Sequence, residues 1–339
     1  MLKIGDHQFE HNIVLAPMAG ITDSVFREIC RQNGACYTLA EMVASKKQLW
    51  ESKKSSTRQA NLSDPEPRAI QLIGTDPSEL AEAAAWQVSL GAQIIDLNMG
   101  CPAKKVCSVA AGSALMADPG RVTEIFAAVV NAVQVPVTVK IRTGTDADNR
   151  NALQIAQIAQ QQGLQAITIH GRTRDEKFRG LAEYDTIKAV KQAIDIPVIA
   201  NGDICTPEQA EFVLKYTAAD GVMIGRASQG YPWVFREMTH YLKTGELLMK
   251  PTFEEFYLTM VQHLSQLHSL YGETHGVRVA RKHIGWYGQH LPQGYLLRKQ
   301  FNQLQTAESQ LALIEDFFNP LLLAMPQEKT EPKCETTLN

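Results

Sequence analysis

Eight short apolar runs, separated by stretches with helical periodicity, dominate the first part of the chain. Most of these runs are apolar without alternation, which is typical of strands buried on both faces of a parallel sheet. Eight strand-helix units in about 240 residues match the length of a closed (β/α)8 barrel, so we predict an α/β TIM barrel. The runs span residues 13–16, 37–40, 69–73, 94–97, 137–141, 166–169, 198–200 and 222–224.

The signals for helix starts support this count. Four helical stretches follow a capping side chain, and three of the four caps are followed directly by Pro at the first helical position. The pairs are Thr22-Asp23, Asp76-Pro77, Asp118-Pro119 and Thr206-Pro207. A doubly wound open sheet is the competing arrangement, but no Gly-x-Gly-x-x-Gly follows the first run, so the dinucleotide-binding fingerprint is missing.

The pattern changes after about residue 243. Residues 251–318 keep helical periodicity, interrupted by glycines, and contain no further strand-like run. We therefore predict a catalytic barrel over residues 1–243 and a small all-helical domain over residues 244–320. The end of the chain, 321–339, contains Pro, Glu, Lys and Thr with few apolar residues, which predicts a disordered tail.

Composition narrows the classes of partner. The chain has 33 Lys+Arg against 36 Asp+Glu, so any polyanion must be bound by a local basic patch rather than by net charge. Its six cysteines form no Cys-x-x-Cys pair and it opens without a signal-like apolar stretch, which predicts a reduced, cytoplasmic protein. No apolar run approaches the ~18 residues that span a bilayer. We predict neither a membrane role nor a metal site.

Polar side chains stand at or near the carboxyl ends of seven of the eight predicted strands, and Pro17-Met18-Ala19 follows the first. Barrel enzymes carry their chemistry at the carboxyl ends of the strands, so these side chains are predicted to meet on one face. Any one of them alone would more often be structural, but together they indicate an active site. In chain order they are Pro17-Met18-Ala19, Glu41, Gln71, Asn98 with Cys101, Lys140 with Arg142, His170 with Arg172, Asn201-Gly202-Asp203 and Gly225-Arg226.

The loop at residues 98–105 carries the most reactive of these groups. It reads Asn-Met-Gly-Cys-Pro-Ala-Lys-Lys, directly after an apolar strand. Gly100 permits a tight turn and Pro102 stiffens the exit, so the thiol of Cys101 is held in a defined direction. The alternative is a turn with a small buried thiol, a common place for cysteine.

The last two strands indicate a phosphate site. Asn201-Gly202-Asp203 and Gly225-Arg226 follow strands seven and eight, where barrels frequently bind phosphate through backbone amides, and Arg226 adds a charge-assisted donor. A phosphorylated cofactor is therefore expected. Lys140 has two interpretations, stabilisation of negative charge near N1 of a flavin or a Schiff-base lysine of an aldolase, which would need a depressed pKa.

Four motifs in order resemble the tRNA-dihydrouridine synthase family, and the resemblance covers roughly residues 1–320. They are residues 16–23 (Ala-Pro-Met-Ala-Gly-Ile-Thr-Asp), 98–102 (Asn-Met-Gly-Cys-Pro), 170–173 (His-Gly-Arg-Thr) and 201–204 (Asn-Gly-Asp-Ile). Residues 100–106 and the Arg281-Lys282-His283 segment are most similar to the bacterial B subfamily. The resemblance implies an FMN-bound barrel that reduces a D-loop uridine of tRNA with NADPH, at position 17 for this subfamily.

The resemblance also implies roles for individual residues. Cys101 is the acid that protonates C5 of the uracil after hydride reaches C6 from flavin N5. Flavin-binding residues are Pro17, Met18, Ala19, Gln71, Lys140, His170, Asn201, Gly202, Asp203, Gly225 and Arg226. Separately from the resemblance, the residues predicted to bind substrate are Asn98, Lys104, Lys105, Arg172, Arg278, Arg281 and Lys282.

Two basic clusters are candidate RNA contacts. Residues 278–299 hold five Lys/Arg and no Asp/Glu, interleaved with Trp286, Tyr287 and Tyr295, a composition that suits RNA. A second cluster contains Lys46, Lys47, Lys53, Lys54 and Arg58. Solvated helix faces are the alternative for both.

Three other functions remain open. A flavin barrel acting on free pyrimidine or dihydroorotate would share the barrel and the cofactor, but a small substrate does not need a basic helical domain. A Schiff-base aldolase would use Lys140, and a noncatalytic RNA-binding barrel would need no cofactor. The sequence does not determine the oligomeric state.

Overall fold

The structure is a computed structural model that describes residues 1–103 and 111–323. Two compact units divide the chain, Met1–Met249 and a second unit that begins at Lys250. Among the described residues, no helix is both long and apolar enough to cross a membrane. No cluster of His, Cys, Asp and Glu in those residues could hold a metal ion.

A parallel barrel forms the first unit. Its strands are β3 (Ile13–Leu15), β4 (Tyr37–Thr38), β5 (Val43–Ala44), β6 (Ala69–Ile73), β7 (Ile94–Met99), β8 (Val137–Arg142), β9 (Ala166–His170), β10 (Val198–Asn201) and β11 (Gly221–Ile224). The order in the sheet is β4-β3-β11-β10-β9-β8-β7-β6-β5, and all neighbours are parallel.

The second strand position is shared by β4 and β5. Leu39, directly after β4, bridges Ala69 of β6, and β5 pairs with β6 further along. The ring therefore closes with eight strand positions, and the predicted (β/α)8 barrel is confirmed. The apolar runs became strands because each buries its side chains on both faces, towards the interior and towards the helices.

The barrel helices are α1 (Ser24–Gln32), α2 (Lys53–Ser56), α3 (Pro77–Ser89), α4 (Pro119–Ala132), α5 (Ala152–Gln161), α6 (Asp185–Ala193), α7 (Pro207–Thr217) and α8 (Val234–Thr244). The four predicted caps are in place. Asp23, Asp76, Asp118 and Thr206 each accept a hydrogen bond from a backbone N–H in the first turn of the helix.

A short antiparallel hairpin precedes the barrel, and the sequence pattern did not indicate it. Its strands are β1 (Lys3–Ile4) and β2 (His7–Gln8). Leu2, Ile4 and Phe9 are buried in one apolar cluster with residues at the amino ends of several barrel strands. The hairpin therefore closes the amino-terminal end of the barrel, opposite the strand ends that carry the polar groups.

Three helices make up the described part of the second unit, α9 (Phe253–Tyr287), α10 (Gly294–Phe301) and α11 (Ala307–Leu323). Gly272, with φ of +73°, interrupts α9, a conformation that glycine adopts at little cost. No strand occurs between residues 250 and 323, so the predicted helical region is confirmed. Residues 321–323 of the predicted tail belong to α11, and the rest of that tail lies outside the described residues.

Candidate active site

A cavity of about 670 Å³ opens at the carboxyl ends of the barrel strands. Its volume lies within the range of ~300–1,000 Å³ that is common for small-molecule sites. Every predicted flavin-binding residue lines it, together with Asn98 and Cys101. The predicted residues on its wall are Pro17, Met18, Ala19, Gln71, Asn98, Cys101, Lys140, His170, Asn201, Gly202, Asp203, Gly225 and Arg226.

Asn98, at the end of β7, holds the backbone of the Cys101 turn. Its Oδ1 accepts hydrogen bonds from the amides of Gly100 (3.2 Å) and Cys101 (3.0 Å). The carbonyl of Cys101 in turn accepts from the Ser113 hydroxyl at 2.8 Å. The main chain on both sides of the thiol is therefore held by side-chain hydrogen bonds.

Lys140 lies deep in the mouth of the barrel. Its Nζ donates to Oδ1 of Asn201 across 3.0 Å, and the Asn201 amide nitrogen donates to the Met223 carbonyl at 2.7 Å. Burial, and secondarily the positive charge of Arg142, lower the pKa of Lys140 to about 8. The Asn201 hydrogen bond therefore holds the Lys140 side chain against one wall of the cavity. An anion bound in the cavity would favour the protonated form of Lys140.

His170, at the end of β9, is neutral. Burial, followed by the charges of Lys140 and Arg142, lowers its pKa to about 2. Its Nε2 lies 3.4 Å from Nη1 of Arg172. The ring can therefore orient a ligand through hydrogen bonding but does not add a positive charge near neutral pH.

Asp203 organises the wall formed by the loops after β10 and β11. Its carboxylate accepts two hydrogen bonds from Arg172, at 2.9 and 2.6 Å, and one from Nη2 of Arg226 at 2.8 Å. Burial alone would raise its pKa, but the hydrogen bonds from Arg172 and the Ala182 amide outweigh that effect and lower the pKa. Asp203 thus stays ionised and sets the direction of the half-exposed Arg226 guanidinium.

The loop after β3 is fixed from outside the cavity. The Gly20 amide donates to Oε2 of Glu41 at 2.6 Å, and the same oxygen forms an ion pair with Arg58 at 2.5 Å. Glu41 is almost fully buried. Through Gly20, this ion pair positions the adjacent Pro17-Met18-Ala19 segment of the wall.

A match to a family model identifies the group of enzymes to which the chain belongs. The profile described as Dihydrouridine synthase (Dus) matches residues 14–321. The chain belongs to the dihydrouridine synthase family. It is a flavin-dependent oxidoreductase, as the motifs predicted.

Curated relatives agree with this assignment. The chain is 53% identical over 318 residues to the tRNA-dihydrouridine synthase B of Pseudomonas putida, with 94% of each chain covered. It is 50% identical over 325 residues to that of Xanthomonas campestris pv. campestris, covering 96% of this chain and 98% of that protein. For the protein of Salmonella typhimurium the identity is 51% over 317 residues, with 94% and 99% covered.

A solved structure shares the fold. Histamine dehydrogenase from Rhizobium sp. 4-9 superposes with a TM-score of 0.54 at 12% sequence identity, covering 78% of this chain and 50% of that one. This chain therefore spans half the length of that protein. The likeness supports the barrel fold of this dihydrouridine synthase family member.

Some predicted substrate residues lie elsewhere in this member of the family. Arg172 is buried, is absent from the cavity wall, and donates to the carbonyls of Arg179 and Gly180 as well as to Asp203. Its guanidinium is bonded to Asp203, and the expected contact of Arg172 with substrate stays a prediction. Lys104 and Lys105 lie outside the described residues.

The remaining predicted substrate residues belong to the helical unit. Arg278 and Lys282 are exposed on α9. Arg281 donates to the Leu304 carbonyl at 2.9 Å and is partly buried. Tyr287, which was expected among the stacking aromatics, is fully buried and bonded to His263 at 3.0 Å, so it cannot stack on RNA.

The members of the second basic cluster also differ in their surroundings. Arg58 is bound to Glu41, and exposed Lys47 forms an ion pair with Glu82 at 2.6 Å. Lys46 is exposed. The cluster is therefore not a uniform cationic surface.

Sequence reasoning missed several residues around the cavity, four of which are informative. Met42, Phe178 and Gln229 line it, and Asp96 lies beneath it, bonded to Gln71 at 2.8 Å. Asp96 had a visible signal, a charged residue within a buried apolar strand. Phe178 had none, since it stands in a loop after β9, where its ring lies 5.6 Å from the guanidinium carbons of both Arg142 and Arg226.

Proposed function

We propose that the chain uses FMN and NADPH to reduce the C5=C6 bond of a uridine in tRNA, giving dihydrouridine. The observation that carries the proposal is the placement of the Cys101 turn on the same cavity as the Lys140, Asp203 and Arg226 groups. The sequence identity to curated tRNA-dihydrouridine synthases B supports tRNA as the substrate class. The overall change is uridine plus NADPH plus a proton to dihydrouridine plus NADP⁺.

The residues present fit FMN. The cavity wall carries the cations Lys140, Arg142 and Arg226 against one ionised carboxylate, Asp203, which favours an anionic ligand. Arg226, on the turn after β11, would bind the phosphate, since barrels frequently hold phosphates at this position. Lys140 would lie near the ring system, where a cation stabilises negative charge. When bound and reduced, FMN supplies the hydride that reaches C6 of the uracil.

Cys101 completes the reaction as general acid. Hydride addition at C6 of a uracil leaves an enolate conjugated to the C4 carbonyl, and a proton must then be delivered to C5. A thiol can give up a proton near neutral pH, which suits this step. Asn98 and Ser113 hold the main chain around the thiol, so the proton donor is presented in one orientation.

Access to the base requires the RNA to open. A uridine stacked in folded tRNA cannot reach a site inside a barrel mouth, so it must be turned out, as other base-modifying enzymes require. We assign RNA backbone binding to the helical unit, where Arg278 and Lys282 are exposed. The similarity to B-type relatives favours position 17 of the D-loop, in a cytoplasmic enzyme.

The direct test follows the absorbance of the bound flavin. The purified protein is expected to be yellow, to be bleached anaerobically by NADPH and to be reoxidised by tRNA that lacks dihydrouridine. Free uracil and orotate, the oxidised partner of dihydroorotate, serve as controls that should leave the flavin reduced. Reoxidation by either small molecule would favour a free-pyrimidine or dihydroorotate enzyme, and a colourless protein would remove the proposal. Mapping dihydrouridine in the treated tRNA identifies the position.

A further inference from the structure

A row of polar side chains crosses the apolar interior of the barrel beneath the cavity. Gln71 of β6, Asp96 of β7 and Thr138 of β8 are direct cross-strand partners. All three are at least 95% buried. Nothing in the reaction proposed above uses Asp96 or Thr138, although placing a carboxylate in an apolar interior is costly unless its hydrogen bonds are satisfied.

These side chains form one continuous hydrogen-bond relay that ends at the catalytic turn. The Thr138 hydroxyl donates to Asp96 Oδ1 at 2.6 Å, and the Gln71 amide nitrogen donates to Asp96 Oδ2 at 2.8 Å. Oε1 of Gln71 accepts from the Asn98 amide nitrogen at 2.7 Å. Oδ1 of Asn98 then accepts from the backbone amide of Cys101 at 3.0 Å.

Asp96 determines the orientation of the two side-chain amides in the relay, those of Gln71 and Asn98. A side-chain amide such as Gln71 can turn over and exchange its oxygen with its nitrogen, and only its partners decide between the two orientations. An ionised carboxylate accepts hydrogen bonds and never donates them, so it admits only the nitrogen of Gln71. The oxygen of Gln71 must then face Asn98, whose own oxygen is left for the Cys101 turn.

We propose that Asp96 is a positioning residue that orients Gln71 and Asn98 and thereby holds the Cys101 turn in place for proton delivery. This assignment rests on the proposed function of Cys101 as the acid. Asp96 itself is not among the residues that line the cavity. Its effect on the thiol passes through two amides.

The carboxylate must be ionised for this role. Burial raises the pKa of Asp96 to about 6, while the hydrogen bonds from Thr138 and Gln71 and the charge of Lys140 oppose the shift. Above pH about 6 the group is an acceptor only. Below it the protonated carboxyl can donate, and Gln71 is no longer restricted to one orientation.

The test compares two substitutions at the same position in the flavin-loaded enzyme. Asp96→Asn keeps an oxygen that can accept from Gln71 and an amide that can donate to the Thr138 hydroxyl, but unlike an ionised carboxylate it does not exclude the other orientation of Gln71, so the relay persists in part. Asp96→Leu is similar in size and removes the relay. Alkylation of Cys101 by iodoacetamide, followed by peptide mass spectrometry, reports the position of the turn without requiring turnover. Cys205, on the same cavity, is the internal reference.

Asp96→Leu is expected to change the Cys101 alkylation rate and to slow flavin reoxidation by tRNA by about tenfold or more, the effect of losing a hydrogen bond to a charged group. Cys205 alkylation and flavin reduction by NADPH should stay within about twofold of wild type. Asp96→Asn should restore both Cys101 readouts towards wild type. Equal damage by Asn and Leu, or wild-type Cys101 behaviour in the Leu variant, would overturn the proposal.

A third variant keeps the proposal testable if Asp96→Leu does not fold. Thr138→Val is isosteric and removes one hydrogen bond that favours ionised Asp96, so the pKa of Asp96 should rise. The pH below which tRNA-dependent reoxidation of the flavin slows should therefore move to a higher value. The profile for reduction by NADPH should not move with it. An unshifted value would contradict the role of Asp96. Failure of the wild type to reduce tRNA would instead remove the proposed function, whereas the alkylation result would still report the relay.

Discussion

The barrel unit and the helical unit differ in how well the residue pattern located their functional groups. In the barrel, every predicted flavin-binding residue, from Pro17 to Arg226, lines one cavity. In the helical unit, Arg278 and Lys282 are exposed, but Arg281 is bonded to Leu304 and Tyr287 is buried. The main-chain pairing of a barrel fixes where each strand ends, whereas a helix carries residues around its whole circumference.

The two units also differ in the surroundings of their buried polar groups. Buried Asp96 and Gln71 of the barrel are members of a relay that reaches the catalytic turn. The helical unit buries His263 and His283, whose rings lie 4.5 Å apart in its core. We therefore expect polar substitutions in the barrel interior to change chemistry and those in the helical core to change stability.

The largest effect is expected at Cys101. Cys101→Ala should lower dihydrouridine formation by about 10²–10⁴-fold, the usual contribution of a general acid. Flavin binding and reduction by NADPH should be retained, because the substitution removes the proton donor without altering Asp203 or Arg226, the proposed phosphate-binding residue. Stopped-flow reduction and quantification of dihydrouridine by mass spectrometry separate the two steps. Cys205→Ala is the matched control, and full product formation by Cys101→Ala would remove the assigned role.

The second prediction concerns acid stability of the helical unit. Burial lowers the pKa of His263 to about 3 and that of His283 well below its usual value. As pH falls below ~6.5, the unfolded chain binds protons that the folded chain does not, so each group lowers stability by up to ~1.4 kcal/mol per pH unit. Urea unfolding at pH 7.0, 6.0 and 5.0 measures this slope.

His283→Phe is the matched variant for that measurement. It removes one buried histidine and should flatten the dependence of the unfolding free energy on pH by about one proton. The remaining histidines, including His170 with its similarly depressed pKa, supply the residual slope. A slope identical to that of wild type would contradict the neutral state assigned to His283.

A smaller effect is expected at Arg226, the proposed phosphate-binding residue. Arg226→Ala should weaken FMN binding by about tenfold, because one charge-assisted donor is lost while Asp203 remains ionised nearby. Arg226→Lys should recover part of the affinity. Titration of the apoprotein with FMN, followed by flavin fluorescence, gives the dissociation constants. If the wild type, Arg226→Ala and Arg226→Lys bind FMN with equal affinity, Arg226 does not bind the phosphate.

The smallest effect is expected from single cations of the helical unit. Arg278→Ala or Lys282→Ala should raise KM for tRNA a few-fold and reduce the salt dependence of binding by about one ion, with kcat and NADPH oxidation little changed. Lys215→Ala, an exposed lysine on α7 of the barrel, is the matched control. If all three variants bind tRNA alike, the helical unit is not the RNA-binding surface.

The sequence could predict the barrel, its four capped helix starts and the cavity residues, because each depends on local pattern plus the closure of a parallel sheet. It could not place Arg172, since its partner Asp203 is 31 residues away and the pairing depends on the fold. Phe178 was missed because loop conformation carries no periodicity. Tyr287 could have been excluded, because helical spacing puts it on the buried face with His283 and Ile284.

The hairpin at the start of the chain has a kinetic consequence. Because Leu2, Ile4 and Phe9 are buried at the amino-terminal end of the barrel, the proposed reductant NADPH and the proposed tRNA substrate would both reach the cofactor from the mouth at the carboxyl ends of the strands. The two substrates would then bind one after the other. NADP⁺ would leave the mouth before tRNA enters it. Double-reciprocal plots at several fixed NADPH concentrations are accordingly expected to be parallel lines.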